Sequence, residues 1–185
     1  MHALQPLEPW LGPLGGVPPP CVAHSGIPPP SPSLQVHVLQ PLELQADGDV
    51  TMKGKLVLQG GSLAAANRVG VVSGLKLRHF MGEAISVTGG RWLLRDCEVD
   101  SSKRARAASA VIVKNNAALQ LLRCAVRDCA HAVVLERASA RVHAAHCTFT
   151  NVKEGIYTRG GGVVQLEYVG CVGIVVQLRA WRLSS

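Results

Sequence analysis

The stretch "CTFTNVKEGIY", Cys147–Tyr157, repeats the pattern of "CAVRDCAHAVV", Cys124–Val134, a short way upstream. In both, a hydrophobe follows the cysteine by two residues (Phe149, Val126) and a turn-forming residue by four (Asn151, Asp128). Eight residues after the cysteine, a small residue opens a β-branched run: "GIYT" from Gly155 and "AVVL" from Ala132. Cys97 starts the same phrase, with Val99 two residues on and "AVIV" from Ala110.

The frame extends in both directions. Trp92, Leu119 and Val142 stand five residues before the three cysteines; Leu94, Leu121 and Ala144 stand three before. Upstream, Leu75 and Leu77 precede "AISV" from Ala84; downstream, Val164 and Leu166 precede Val169 and "GIVV" from Gly173. Turn strings close each unit: "TGG", "KNNA", "RASA" and "RGGG". Leu75, Cys97, Cys124, Cys147 and Val169 thus repeat at a spacing near 22 residues, which marks a solenoid. The units carry turn signals at both ends and no sustained helical period, so three short strands per turn are expected.

These phrases resemble the parallel β-helix repeats of the pectin-lyase-like superfamily, most clearly over residues 64–178 and more weakly over 34–63. The resemblance implies an all-β, right-handed parallel β-helix of five to six rungs. In such a fold equivalent residues stack in columns about 4.8 Å apart. Cys97, Cys124 and Cys147 are expected in one inward column, continued by Leu75 and Val169, packing as small hydrophobes. Asp128 and Asn151 are expected at turns, where they tolerate left-handed backbone.

Composition agrees with this reading. The chain has 185 residues, 48% of them hydrophobic and 4% aromatic, so the core is built from aliphatic residues and cysteine. Ten of the eleven prolines lie between Pro6 and Pro32, which sets residues 1–33 apart as a disordered Pro-rich leader of extended polyproline character. Residues 34–185 form the β-helix domain. Six cysteines without a signal-peptide pattern point to a reduced, intracellular and cytoplasmic protein. No apolar run is long enough to span a bilayer, so no membrane partner is expected.

The net charge of +7 comes from scattered Lys and Arg, with one cluster at Lys103, Arg104 and Arg106. No aromatic residue interleaves with that cluster, so a nucleic-acid-stacking surface is not indicated. The cluster sits in an insertion: thirteen residues separate Cys97 from Ala110, against eight in each of the next two units. The extra residues fall within "SSKRARAAS", which is expected to loop out. Lys103, Arg104 and Arg106 are the candidate partner-binding residues, and Ser109 ends a string that resembles a basophilic-kinase acceptor site.

Catalytic and metal signals are thin. Hydrolases of the resembled superfamily pair carboxylates and its lyases gather acids around calcium. No Asn-Thr-Asp, Asp-Asp or Gly-His-Gly string occurs, and no catalytic residue, metal or cofactor is assigned. Asp96, Arg123, His146 and Tyr168 share one outward column, read as solvated cross-rung pairs. His143, His146 and Cys147 are spaced like metal ligands, but Cys147 faces inward and the two histidines outward.

The expected function is a non-catalytic protein-interaction or scaffold module with a protein partner, like the repeats of F-box-type ubiquitin ligases and adaptors. A polysaccharide lyase or hydrolase is the alternative. The chain is also compatible with a fragment of a longer β-helix, whose open end rungs would favour edge-to-edge self-association.

Overall fold

The computed structural model describes residues 34–60, 68–78, 82–101 and 108–172. The described residues form β-strands and turns and contain no helix. Among the described residues seventeen strands, β1–β17 in chain order, build a parallel β-solenoid of about five turns. The leader of residues 1–33 and the run from Gly173 lie outside the described residues, as does Cys21.

Each turn contributes one strand to each of three parallel faces. The first face contains β1 (Leu34–Val38), the second half of β3 (Thr51–Leu58), β6 (Glu83–Val87), β9 (Ser109–Val113), β12 (His131–Leu135) and β15 (Glu154–Thr158). The second contains β2 (Glu43–Gln45), β4 (Val69–Ser73), β7 (Arg91–Arg95), β10 (Ala118–Leu122), β13 (Arg141–Ala145) and β16 (Val163–Glu167). The third joins the start of β3 to β5 (Lys76–Arg78), β8 (Glu98–Asp100), β11 (Ala125–Arg127), β14 (Thr148–Thr150) and β17 (Gly170–Val172). The weaker part of the repeat, residues 34–60, is therefore in register with the rest.

The strand β3 passes from the third face to the first without a break. Its corner is Gly54, at φ +137°, where a side chain would collide with the carbonyl of Leu34. Only glycine fits such a corner.

The interior is a set of stacked columns. Leu75, Cys97, Cys124 and Cys147 are buried in line and Val169 packs against them. Leu77, Val99, Val126 and Phe149 form a second buried column through the pairings of the third face. Alternation along the second- and third-face strands sends every second residue inward, as a period of two requires, whereas on the first face the consecutive residues Ala84 and Ile85, Ala110 and Val111, and Ala132 and Val133 all reach the core. The column of Trp92, Leu119 and Val142 begins at Gly70, which pairs directly with Trp92 and leaves room for its ring. Burial of this aliphatic stack is the main stabilising term, at ~25 cal/mol per Å² of apolar surface removed from water.

The corners explain the cysteines. Asp96, Arg123, His146 and Tyr168 all have φ between 50° and 55°, and Gly74 begins the same column at φ 71°. Each left-handed residue turns the chain so that the next side chain points inward. Its N–H donates to the rung above: Asp96 to the Leu122 carbonyl at 3.0 Å, Arg123 to Ala145 at 3.0 Å, His146 to Glu167 at 2.9 Å. The following thiol then donates back to the carbonyl two residues earlier, Cys97 to Arg95 at 3.3 Å, Cys124 to Leu122 at 3.5 Å and Cys147 to Ala145 at 3.3 Å. The ladder cysteines thus pack as small hydrophobes and also cap the turn with a weak donor. All five described cysteines are free thiols. Asp128 and Asn151 occupy a second left-handed corner, at φ 54° and 52°, with the Asn151 amide donating to the Asp128 carboxylate.

Candidate functional site

The insertion begins, in sequence, at that second corner. Ser101 takes the place of Asp128 and Asn151 there and is buried, its hydroxyl donating to the Asp128 carbonyl. Ala108, on the return, is buried too. Lys103, Arg104 and Arg106 lie between them, outside the described residues. Ser101 and Ser109, at the ends of the expected loop, are both part of the solenoid wall. Ser109 opens β9, held by its N–H to the Gly82 carbonyl at 2.8 Å, because the ladder to β6 and β12 resumes one residue before the β-branched run.

On the outside of the first face, Glu83, Ser109, His131 and Glu154 stand in register on successive rungs. The Ser109 hydroxyl lies 3.2 Å from His131 Nδ1, and His131 Nε2 lies 3.3 Å from Glu154. Tyr157 stacks on the imidazole with ring centroids 5.3 Å apart. Burial lowers the pKa of His131, more than the neighbouring Glu154 carboxylate raises it. Glu83 is neutralised by Lys55 and, at 3.5 Å, by Lys114. Ser109 is half-buried within this row.

The corner column carries cross-rung pairs of the expected kind. Arg123 grips Asp96 through two hydrogen bonds of 2.7 and 2.8 Å, holding that carboxyl below the usual range, and His146 stacks on Tyr168 at 5.2 Å. Other carboxylates are similarly engaged: Asp49 with Lys76, Glu98 with Arg78 and Arg127, and Glu167 with His143. Cys147 points inward and His146 outward, and no group of three His, Cys, Asp or Glu among the described residues is placed to hold a metal ion.

A different surface has unengaged charge. A shallow groove of about 300 Å³ crosses the outside of the second face. One outward column along it reads Val69, Arg91, Ala118, Arg141, Val163, with each residue paired in register to the next. The adjoining column contributes Gln120, His143 and Gln165. Arg91 and Arg141 are exposed, and neither makes an ion pair or side-chain hydrogen bond with another residue of the described structure. Ala118 between them has only a methyl group, which leaves the depression. The two arginines stand six residues before Cys97 and Cys147, so the repeat frame contains the signal that finds them. They are scattered in sequence and gathered only by the fold.

Fold and surface together define a parallel β-solenoid with a basic, flat-floored groove on one face. Comparison with protein-family models, with curated proteins and with solved structures gave no match. No helix among the described residues is long and apolar enough to cross a membrane.

Proposed function

We propose that this chain is a non-catalytic protein-interaction module, an intracellular β-solenoid used as a recognition surface. It would work like the pectin-lyase-like repeats of F-box-type and adaptor proteins that its cysteine-bearing units resemble. The observation that carries this reading is the groove on the second face, where Arg91 and Arg141 are exposed and unopposed, while Asp96 at the corner and Glu98 on the third face are engaged in cross-rung pairs. Free guanidinium groups on a rigid sheet suit recognition of anionic groups. Hydrolysis instead needs two carboxylates facing a bound sugar. Lys103, Arg104 and Arg106 would add a second basic contact, whereas a phosphate on Ser109 would fall in the first-face row, between Glu83 and His131, and act there by adding negative charge beside a carboxylate.

The test is incubation of the full chain with acidic polysaccharides, with and without calcium, following new reducing ends and unsaturated products. The reading expects no products, together with saturable binding of selected peptides. Sustained turnover would overturn it in favour of a lyase or hydrolase.

A further inference from the structure

The geometry points to an occupant for the groove: an extended peptide in polyproline II conformation that carries acidic side chains three residues apart and runs along the solenoid axis. This rests on the protein-interaction reading above and names the class of partner.

The argument is one of spacing and charge. Arg91 and Arg141 flank Ala118 in register, so they are two rungs apart, ~9.6 Å at ~4.8 Å per rung. A polyproline II helix has three residues per turn and rises ~3.1 Å per residue, so positions i and i+3 share a face ~9.3 Å apart. An extended β-strand places same-face neighbours only ~6.7 Å apart, and a peptide α-helix brings i and i+4 to ~6 Å. Of these forms, polyproline II matches the arginine pair with its nearest same-face repeat.

The remaining lining is consistent with that occupant. A polyproline II backbone has no internal hydrogen bonds and presents its carbonyls outward. Gln120, exposed in the adjoining column between the registers of Leu93 and His143, has an amide to offer them. The Ala118 methyl lets the peptide backbone approach the sheet. Val69 and Val163, 46% and 55% exposed, end the column on either side and suit an apolar residue flanking each acid. The chain's charge of +7 complements an acidic ligand and speeds its encounter.

The experiment is a fluorescence-anisotropy titration of the full chain with labelled L-E-P-P-E-L. Comparison peptides move the acids to i,i+2 spacing or replace both by glutamine. The expected result is tightest binding for the i,i+3 peptide, weaker by about tenfold on Arg91→Gln or Arg141→Gln, and weaker with rising salt. Circular dichroism of the variants checks that these exposed changes leave the fold intact. Equal affinity for all acidic spacings, or equal competition by any polyanion including polygalacturonate, would overturn the peptide assignment and leave a general anion-binding face. Binding of library peptides that ignores both arginine variants would overturn the groove while the interaction reading stands. Cleavage of polygalacturonate with no peptide binding would overturn both.

Discussion

Replacing Gly70 by alanine probes the inward column at its tightest point. Gly70 lies on β4 opposite Trp92, whose side chain is 1% exposed and whose indole N–H donates to the Gly89 carbonyl at 3.0 Å. An added methyl would overlap Cε3 and Cζ3 of the ring and stand 2.8 Å from Cη2. On backbone entropy alone, alanine in a strand is favoured over glycine by ~0.5–1 kcal/mol. Overpacking a closed site costs ~1–3 kcal/mol. The ring is fixed by its hydrogen bond, so the clash wins and Gly70→Ala should destabilise by ~1–2 kcal/mol. For a chain of this size that is a fall of ~2–8 °C in Tm. Trp92→Leu alone should also destabilise, by leaving a cavity. Combined with Gly70→Ala, the methyl enters vacated space, and the double variant should be more stable than the sum of the singles by ~1–3 kcal/mol. Urea unfolding of the four proteins measures the cycle. An unchanged or raised midpoint in Gly70→Ala, or strict additivity, would refute the packing argument.

At the corner column, His146→Val should lower stability by ~1–2 kcal/mol, because a β-branched residue is strained at φ 54°, whereas His146→Gly should stay near wild type; equal losses in thermal melts would refute corner strain. His131 should titrate below 6.5 by NMR, since burial disfavours its charged form. Its folded pKa is depressed, so the associated stability is present above pH 6.5 and is lost as pH falls through that value toward the folded pKa; His131→Gln should flatten that part of the profile, and an unchanged profile would count against it. Maleimide labelling followed by peptide mapping should modify exposed Cys171 in the native protein well before Cys124 or Cys129. Cys124 is held above the ordinary thiol range by hydrogen bonding to Cys147 and Cys97 and by burial, and burial pushes Cys129 up to about 12.

Much of the fold was legible because a solenoid writes its core as a recurrence. The cysteine column, the hydrophobes beside it and the corners at Asp128 and Asn151 follow from the repeat spacing and turn chemistry taken with the β-helix arrangement that the resemblance implies. The left-handed corner at Arg123, His146 and Tyr168 was not legible, because Arg and Tyr carry no preference for positive φ and the enrichment of His there is too weak to decide a single position; the ladder bonds on either side impose it. The position of Ser109 was misread for a related reason. Strand pairing with Glu83 and His131 resumes before hydrophobic character does, and composition cannot show where a ladder restarts. The Arg91–Arg141 groove is not legible as a site in the sequence, because outward positions obey no hydrophobic rule. It depends on a small residue, Ala118, falling between two long cations on neighbouring rungs.

The inter-rung hydrogen bonds run nearly parallel to the solenoid axis, and this makes the protein mechanically anisotropic. Tension along the axis loads the bonds of one rung at a time and peels the stack open like a zipper. Tension along the strands loads whole ladders in shear, with many bonds sharing the force. Each peeled rung would release its own contour length, ~75 Å for 22 residues at ~3.4 Å each. A partner seated across several rungs of the second face would act as a splint, tying together units that otherwise yield singly.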